Sequence, residues 1–257
     1  MGGVSLQSES GESEGLTGSG TEDDPYQIGS AAGLLEFADK VNNQDQTSAW
    51  AELTDDIDLS EICSEEEGDS WTPIGTYINS YKGTFDGNEK TISGLYINSS
   101  GDAQGLFGRV NGGTVKEFTV SGKVSGTGYV GGIVGYSSGS VENCTFSGTV
   151  NGSGNSVGGV VGWNGGPVAN CYNTGTVTGG LYSNVGGVVG YNQGRAVNNC
   201  TNTGSVTGGS NSSVGGVVGQ NGSSGSGSSC TVENCYNTGD VSVTSGENSN
   251  VGGVVGV

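Results

Sequence analysis

The sequence predicts an all-β solenoid of stacked parallel coils, and three observations carry that prediction. The phrase Val-Gly-Gly-(Ile/Val)-Val-Gly begins at Val130, Val157, Val185, Val214 and Val251, with spacings of 27, 28, 29 and 37 residues. A fixed period of this length marks a repeat architecture. The units between the phrases are made of Val, Thr, Gly and Asn with short alternations, where a helical repeat would set Leu, Ala and Glu at 3.6-residue spacing. The growth from unit to unit falls in Ser/Gly/Asn-rich stretches such as 221–229, as expected if each coil carries one loop.

Along the chain, residues 1–20 read as a disordered acidic leader behind an expression start, 21–102 as an N-terminal cap with irregular first coils, and 103–257 as the regular repeats. Within the cap, Ser30 followed by Leu34, Leu35, Phe37, Ala38 and Val41 predicts a short amphipathic helix with an N-cap. Such a helix covers the first open edge of a solenoid. Leu53 to Leu59, Trp71 to Gly75, Phe85 to Gly87 and Ile92 to Ile97 read as the earlier coils, and Gln104-Gly105-Leu106-Phe107-Gly108 as a diverged first copy of the phrase. The chain stops at Val257 inside that phrase. This reads as a cut between coils and predicts end-to-end self-association at 251–257.

A second phrase ends in cysteine in four successive units, at Cys144, Cys171, Cys200 and Cys235, and Phe118 takes the same place in the first full unit. From Cys144 to Val150 the odd members are apolar or small and the even ones are hydroxylated, so Cys144, Phe146 and Val150 point inward. Val141 has the opposite parity, which requires a bend near Glu142-Asn143. Asparagine tolerates the left-handed backbone of such a bend, and the column Asn143, Asn170, Asn199 and Asn234 predicts a stacked amide ladder. Parity leaves the phrase itself unassigned: of the adjacent Ile133 and Val134, one is expected to face a turn or solvent.

Composition removes several functions. With 54 glycines among 257 residues and 31% hydrophobic residues, an ordinary globular core is not available, and repetition must supply the burial. A net charge of -19 disfavours nucleic acid and anionic lipid as partners. The absence of histidine removes Ser-His-Asp and Cys-His nucleophiles and His-ligated metals. No apolar run approaches the length that spans a bilayer, so no direct membrane insertion is expected.

These phrases resemble the GLUG-motif repeats of bacterial exported and surface-anchored proteins, over roughly residues 22–257. Gly105-Leu106-Phe107-Gly108 and the later Val-Gly-Gly-(Ile/Val)-Val-Gly phrases resemble the motif itself, and Gly20 to Ile28 with Phe85-Asp86-Gly87-Asn88 resemble its usual lead-in. The resemblance implies a single-stranded right-handed parallel β-helix with a capping helix, on an extracellular cell-envelope protein and often beside protease or adhesion domains. It implies no active site, hence a non-catalytic stalk or scaffold without cofactors.

A few side chains carry candidate chemistry. The residue after the phrase runs Arg109, Tyr136, Trp163, Tyr191, Gln220. Tyr136, Trp163 and Tyr191 are therefore the candidate platform for a host or matrix glycan, or else a ring stack covering the coil corner. The Cys column is expected inward and reduced, while Cys63 and Cys230 fall outside it and are the candidates for reaction or pairing. Asp55, Asp56, Asp58, Glu61, Glu65, Glu66, Glu67 and Asp69 lack the spacing of a calcium loop and read as a solvated acidic loop. Asp86 and Asp102 are the only acids near a coil core and show no obvious partner for glycosidase chemistry.

Overall fold

The computed structural model describes residues 16–222, 230–244 and 248–257. The chain forms one parallel β-solenoid with three sheets running along its axis. Each regular coil passes once through all three. In the fifth rung of the largest sheet, for example, the chain runs through Ser140–Gly152, turns into Ser156–Gly158 in the second sheet, and turns again into Val161–Asn164 in the third. Neighbouring coils are in register with the sequence repeat, with Val141 beside Val168, Val168 beside Val197 and Val197 beside Val232. The first coils, which begin with Tyr26–Ile28 and Ala51–Leu53, are less regular. The pairing of Thr84–Asn98 with Thr114–Gly126 shifts register twice, between Asp86 and Lys90 and between Ile92 and Leu95. Residues 1–15 of the expected leader and most of the long insertion at 221–229 lie outside the described residues.

Helix α1 spans Ala31–Asn43 and starts at the predicted cap, where Ser30 Oγ accepts from Gly33 N at 3.1 Å. Its buried stripe is Leu34, Phe37, Ala38 and Val41, spaced for one helical face. Leu35 is off that stripe and 47% exposed, although the sequence placed it among the apolar positions. Phe37 reaches over the end of the solenoid, with its ring 5.8 Å from that of Phe85 and 5.9 Å from that of Tyr81. At the other end of the helix, Asn42 Oδ1 accepts from Gly75 N and Asn42 Nδ2 donates to Pro73 O. The lid is thus fastened both by packing and by hydrogen bonds.

The alternation read from Cys144 to Val150 holds, since Cys144, Phe146 and Val150 are buried while Thr145 and Thr149 are partly exposed. The parity change sits where it was expected. Asn143, Asn170, Asn199 and Asn234 have φ between 52° and 54°, or 55° at Asn199, in the left-handed region that asparagine enters more readily than most residues. Glu117 holds the same place in the earlier coil at φ 62°.

One expectation fails at the Gly-Gly phrase. Ile133 and Val134 are both completely buried, as are the pairs Val160/Val161, Val188/Val189 and Val217/Val218. The chain turns a corner there, between Tyr129–Gly131 in the second sheet and Val134–Ser137 in the third. Successive side chains can therefore both enter the lumen, from either side of the corner. The glycines are required by close approach. A methyl group at Gly187 would lie 2.3 Å from Asn202 Cγ and 2.1 Å from Gly216 O, well inside van der Waals contact.

Candidate functional site

Residues that recur once per coil become columns along the axis, so the question is what each column faces. The exposed Asn column makes the predicted ladder at three of its four members: Asn170 Nδ2 donates to Asn143 Oδ1 at 2.9 Å, and Asn199 Nδ2 to Asn170 Oδ1 at 3.2 Å, while Asn234 shares only the left-handed backbone. Two further amide ladders lie inside. In one, Asn164 Nδ2 donates to Asn192 Oδ1 and Asn192 Nδ2 to Asn221 Oδ1, each at 2.8 Å. In the other, Asn173 Nδ2 donates to Asn202 Oδ1 and Asn202 Nδ2 to Asn237 Oδ1, each at 2.7 Å. Each of these last three amides also donates to the glycine carbonyl two residues on, at Gly175, Gly204 and Gly239. A buried amide without partners is costly, whereas a satisfied network in a low-dielectric interior holds its coils in one register. Sequence reasoning missed both inner ladders because it sought apolar residues inside. The signal was present: alternation from an inward Cys171 places Asn173 inward, and Cys-x-Asn-Thr-Gly recurs at 171, 200 and 235.

The cysteine column is where the sequence placed it. Cys144 is in register with Phe118. Cys144, Cys171 and Cys200 are fully buried, Cys235 is partly buried, and all six cysteines are free thiols. Each thiol of the column donates to the carbonyl two residues earlier, closing the left-handed turn, as from Cys144 Sγ to Glu142 O at 3.1 Å. Burial pushes the Cys171 thiol well above its ordinary range. The sulfur of Cys171, and then burial, push Cys200 up to about 12, and the sulfur of Cys200 leads the rise at Cys235. A thiol held protonated in this way is a poor nucleophile.

Cys63 departs from its expected reactivity. It is buried, its thiol lies 3.4 Å from both Leu59 O and Gly94 O, and burial raises its pKa. Cys230 is partly exposed, accepts from Gly194 N and donates to Gly222 O.

The aromatic column is in register, Arg109 beside Tyr136, Tyr136 beside Trp163, Trp163 beside Tyr191 and Tyr191 beside Gln220. The faces of Tyr136 and Trp163 are turned along the axis toward one another. Tyr136 and Trp163 stack at 4.2 Å with parallel planes. The Arg109 guanidinium lies over Tyr136 at 4.5 Å and over Tyr77 at 4.9 Å. The ring faces of Tyr136 and Trp163 that a sugar would stack on thus already contact each other, and Arg109 lies against Tyr136 as well.

Several of the acids have structural partners. Asp86 pairs with Lys116 at 2.5 Å, and Asp102 with Arg109, so both acids that lacked a partner in sequence are matched by cations. In the acidic loop, Glu65 pairs with Lys123, Asp56 Oδ1 accepts from Thr91 N, and Asp58 Oδ1 accepts from Ser60 N, which holds the Asp58 carboxyl below its ordinary range. Among the described residues no group of three or more His, Cys, Asp or Glu is arranged to hold a metal ion. No described helix is long and apolar enough to cross a membrane.

With this geometry in place, the similarities to known proteins can be located. Residues 126–151, 153–178, 182–207 and 210–242 match the family described as "Glug: The GLUG motif", and each of the four segments takes in one passage through the Gly-Gly corner. The chain is 35% identical over 141 residues to halomucin of Haloquadratum walsbyi, covering 53% of this chain and 2% of that protein. It is 36% identical over 107 residues to a "Putative Gly-rich membrane protein" of Evansella cellulosilytica, covering 41% of this chain and 12% of that protein. The chain therefore spans only a small part of either relative. Its fold is similar to the crystal structure of a "putative immunoglobulin A1 protease" from Bacteroides ovatus, with a TM-score of 0.78 and 25% identity, over 93% of this chain and 73% of that one.

Proposed function

Because residues 126–242 carry GLUG-motif repeats, we propose that the chain is a non-catalytic structural module of an extracellular, cell-surface protein, a stalk or scaffold that holds other segments away from the cell. The observation that carries this reading is the direction of the repeated side chains. The Asn ladders bond from coil to coil, Tyr136 stacks on Trp163 of the next coil, and the thiols close their own turns. Repeated groups used in this way stiffen a rod, in which stability is a sum over neighbouring units. The stacked pair Tyr136 and Trp163 fits the corner cover better than a glycan platform, since stacked rings on successive rungs stabilise one another without a ligand, and Tyr191 continues the column in register. The names halomucin and Gly-rich membrane protein support placement at the cell surface.

The printed title of the Bacteroides ovatus protein offers a protease as the second reading. This chain has no histidine to activate a nucleophile, and Cys171 and Cys200 are buried with raised pKa values. Both facts favour the scaffold. Two measurements test it together. Excision of one repeat, residues 157–184, should leave a folded protein shortened by one strand spacing in small-angle scattering, about 4.8 Å. Incubation of the intact protein with immunoglobulin A1 should yield no fragments. Unfolding of the shortened protein, or cleavage of the immunoglobulin, would contradict the proposal.

A further inference from the structure

The outer face of the largest sheet carries a second set of aromatic rings, which differs from the stacked column in one respect: a rung is skipped. Tyr172 pairs with Thr201, and Thr201 with Tyr236. Tyr172 is 46% exposed and Tyr236 65% exposed. Rings on successive rungs of this solenoid can stand face to face along its axis, as Tyr136 and Trp163 do at 4.2 Å. Two rings two rungs apart are separated by about 9.6 Å, and the small Thr201 leaves the space between them open. A third ring placed midway would be about 4.8 Å from each, within the stacking range.

The borders of this gap are polar and uncharged. On one side run Asn170 and Asn199 of the exposed ladder, whose ladder bonds leave one N–H and at least one lone pair available on each amide. On the other side is the exposed Thr203. The Tyr236 coil carries the exposed acids Glu233 and Asp240, on a chain of net charge -19, so an anionic ligand is disfavoured. A flat apolar face ringed by hydroxyls that seek amide and hydroxyl partners is the chemistry of a neutral pyranose.

We propose that Tyr172, Thr201 and Tyr236 form a slot that binds one sugar unit of a neutral glycan between two tyrosine rings, with the amides of Asn170 and Asn199 taking its hydroxyls. This goes beyond the scaffold reading and does not depend on it: a rod without the slot remains a rod.

The test is affinity electrophoresis of the whole chain through native gels containing hydroxyethylcellulose, galactomannan or xylan, with polygalacturonate as the anionic arm. The protein should be retarded by at least one neutral polysaccharide and not by polygalacturonate. Tyr172→Ala and Tyr236→Ala should each weaken that retardation about tenfold. Thr201→Trp adds an aromatic ring to the face yet should abolish binding, because it fills the slot. All three positions are at the surface, and unchanged circular dichroism and melting would establish that each variant is folded. Absence of retardation in every neutral gel, full binding by both tyrosine variants, or tighter binding by Thr201→Trp would each overturn the proposal.

Discussion

Asn173 donates its amide proton to Asn202 across 2.7 Å with both side chains wholly buried, in the column that Phe146 occupies one coil earlier. An apolar core position has become a hydrogen-bonding one without a change of backbone path. Asn202 in turn donates to Gly204 O and to Asn237 Oδ1, so Asn202→Asp sets a carboxylate against two carbonyl oxygens. Removing one partner of a buried network costs about 1–3 kcal/mol, more when a charge is buried.

The carboxyl of Asn202→Asp would have a folded-state pKa raised by burial, so its penalty is smallest below the unfolded value of about 3.9 and grows as pH rises above it. Urea unfolding should therefore find the variant closer to the parent at pH 4 than at pH 7. An equal deficit at both pH values would show that the amide is not enclosed as described.

The thiol column predicts protection followed by alkaline loss of stability. In the native protein at pH 8, iodoacetamide should leave Cys144, Cys171 and Cys200 unmodified, and unfolding without reductant should expose all six thiols to it. Cys200 keeps its proton to about 12 in the fold against an ordinary value of 9.0. A group whose folded pKa is raised contributes fully below its unfolded pKa, and that contribution is lost as pH climbs from about 9 toward 12. Thiols that stay unmodified in the unfolded, unreduced chain would reveal disulfides and contradict the column.

At the left-handed turn, Asn170 combines φ of 53° with two ladder bonds. Asn170→Gly keeps the backbone and loses only exposed hydrogen bonds, so a loss of about 1 kcal/mol or less is expected. Asn170→Val forces a β-branched residue into that region and should cost about 1–3 kcal/mol. Chemical denaturation orders the two variants, and equal losses would place the turn's requirement elsewhere.

The coil period, the inward Cys144, Phe146 and Val150, the left-handed Asn143 column and the Ser30 cap could all be read from residue order, because each follows from a short periodicity or a local backbone preference. What could not be read depended on direction at corners. Ile133 and Val134 are both buried because the chain turns between them and the preceding strand, and alternation describes only straight strands. For the inner amides the inward direction was legible at Asn173, by alternation from Cys171, but the bonding partner that permits it was not. An asparagine faces inward only if another waits one coil away, which is a property of the stack and not of the segment. The rings of Tyr136 and Trp163 were visible as a column, but their mutual stacking, which decides whether a ligand can reach their faces, appears only in three dimensions. Tyr172 and Tyr236 do not form a sequence column, because Thr201 stands between them.

The claim on which the rest depends is that each repeat is one coil in a parallel, in-register stack. Thr91, Thr119, Thr145, Tyr172 and Thr201 follow one another rung by rung on the largest sheet. Pulsed electron–electron resonance between a spin label at position 201 and a second label at 91, 119 or 145 measures that order directly. Narrow distributions are expected, with the distance falling by about 4.8 Å at each step toward position 201. Distances that do not fall in equal steps, or a spread spanning several rungs, would contradict the parallel stack.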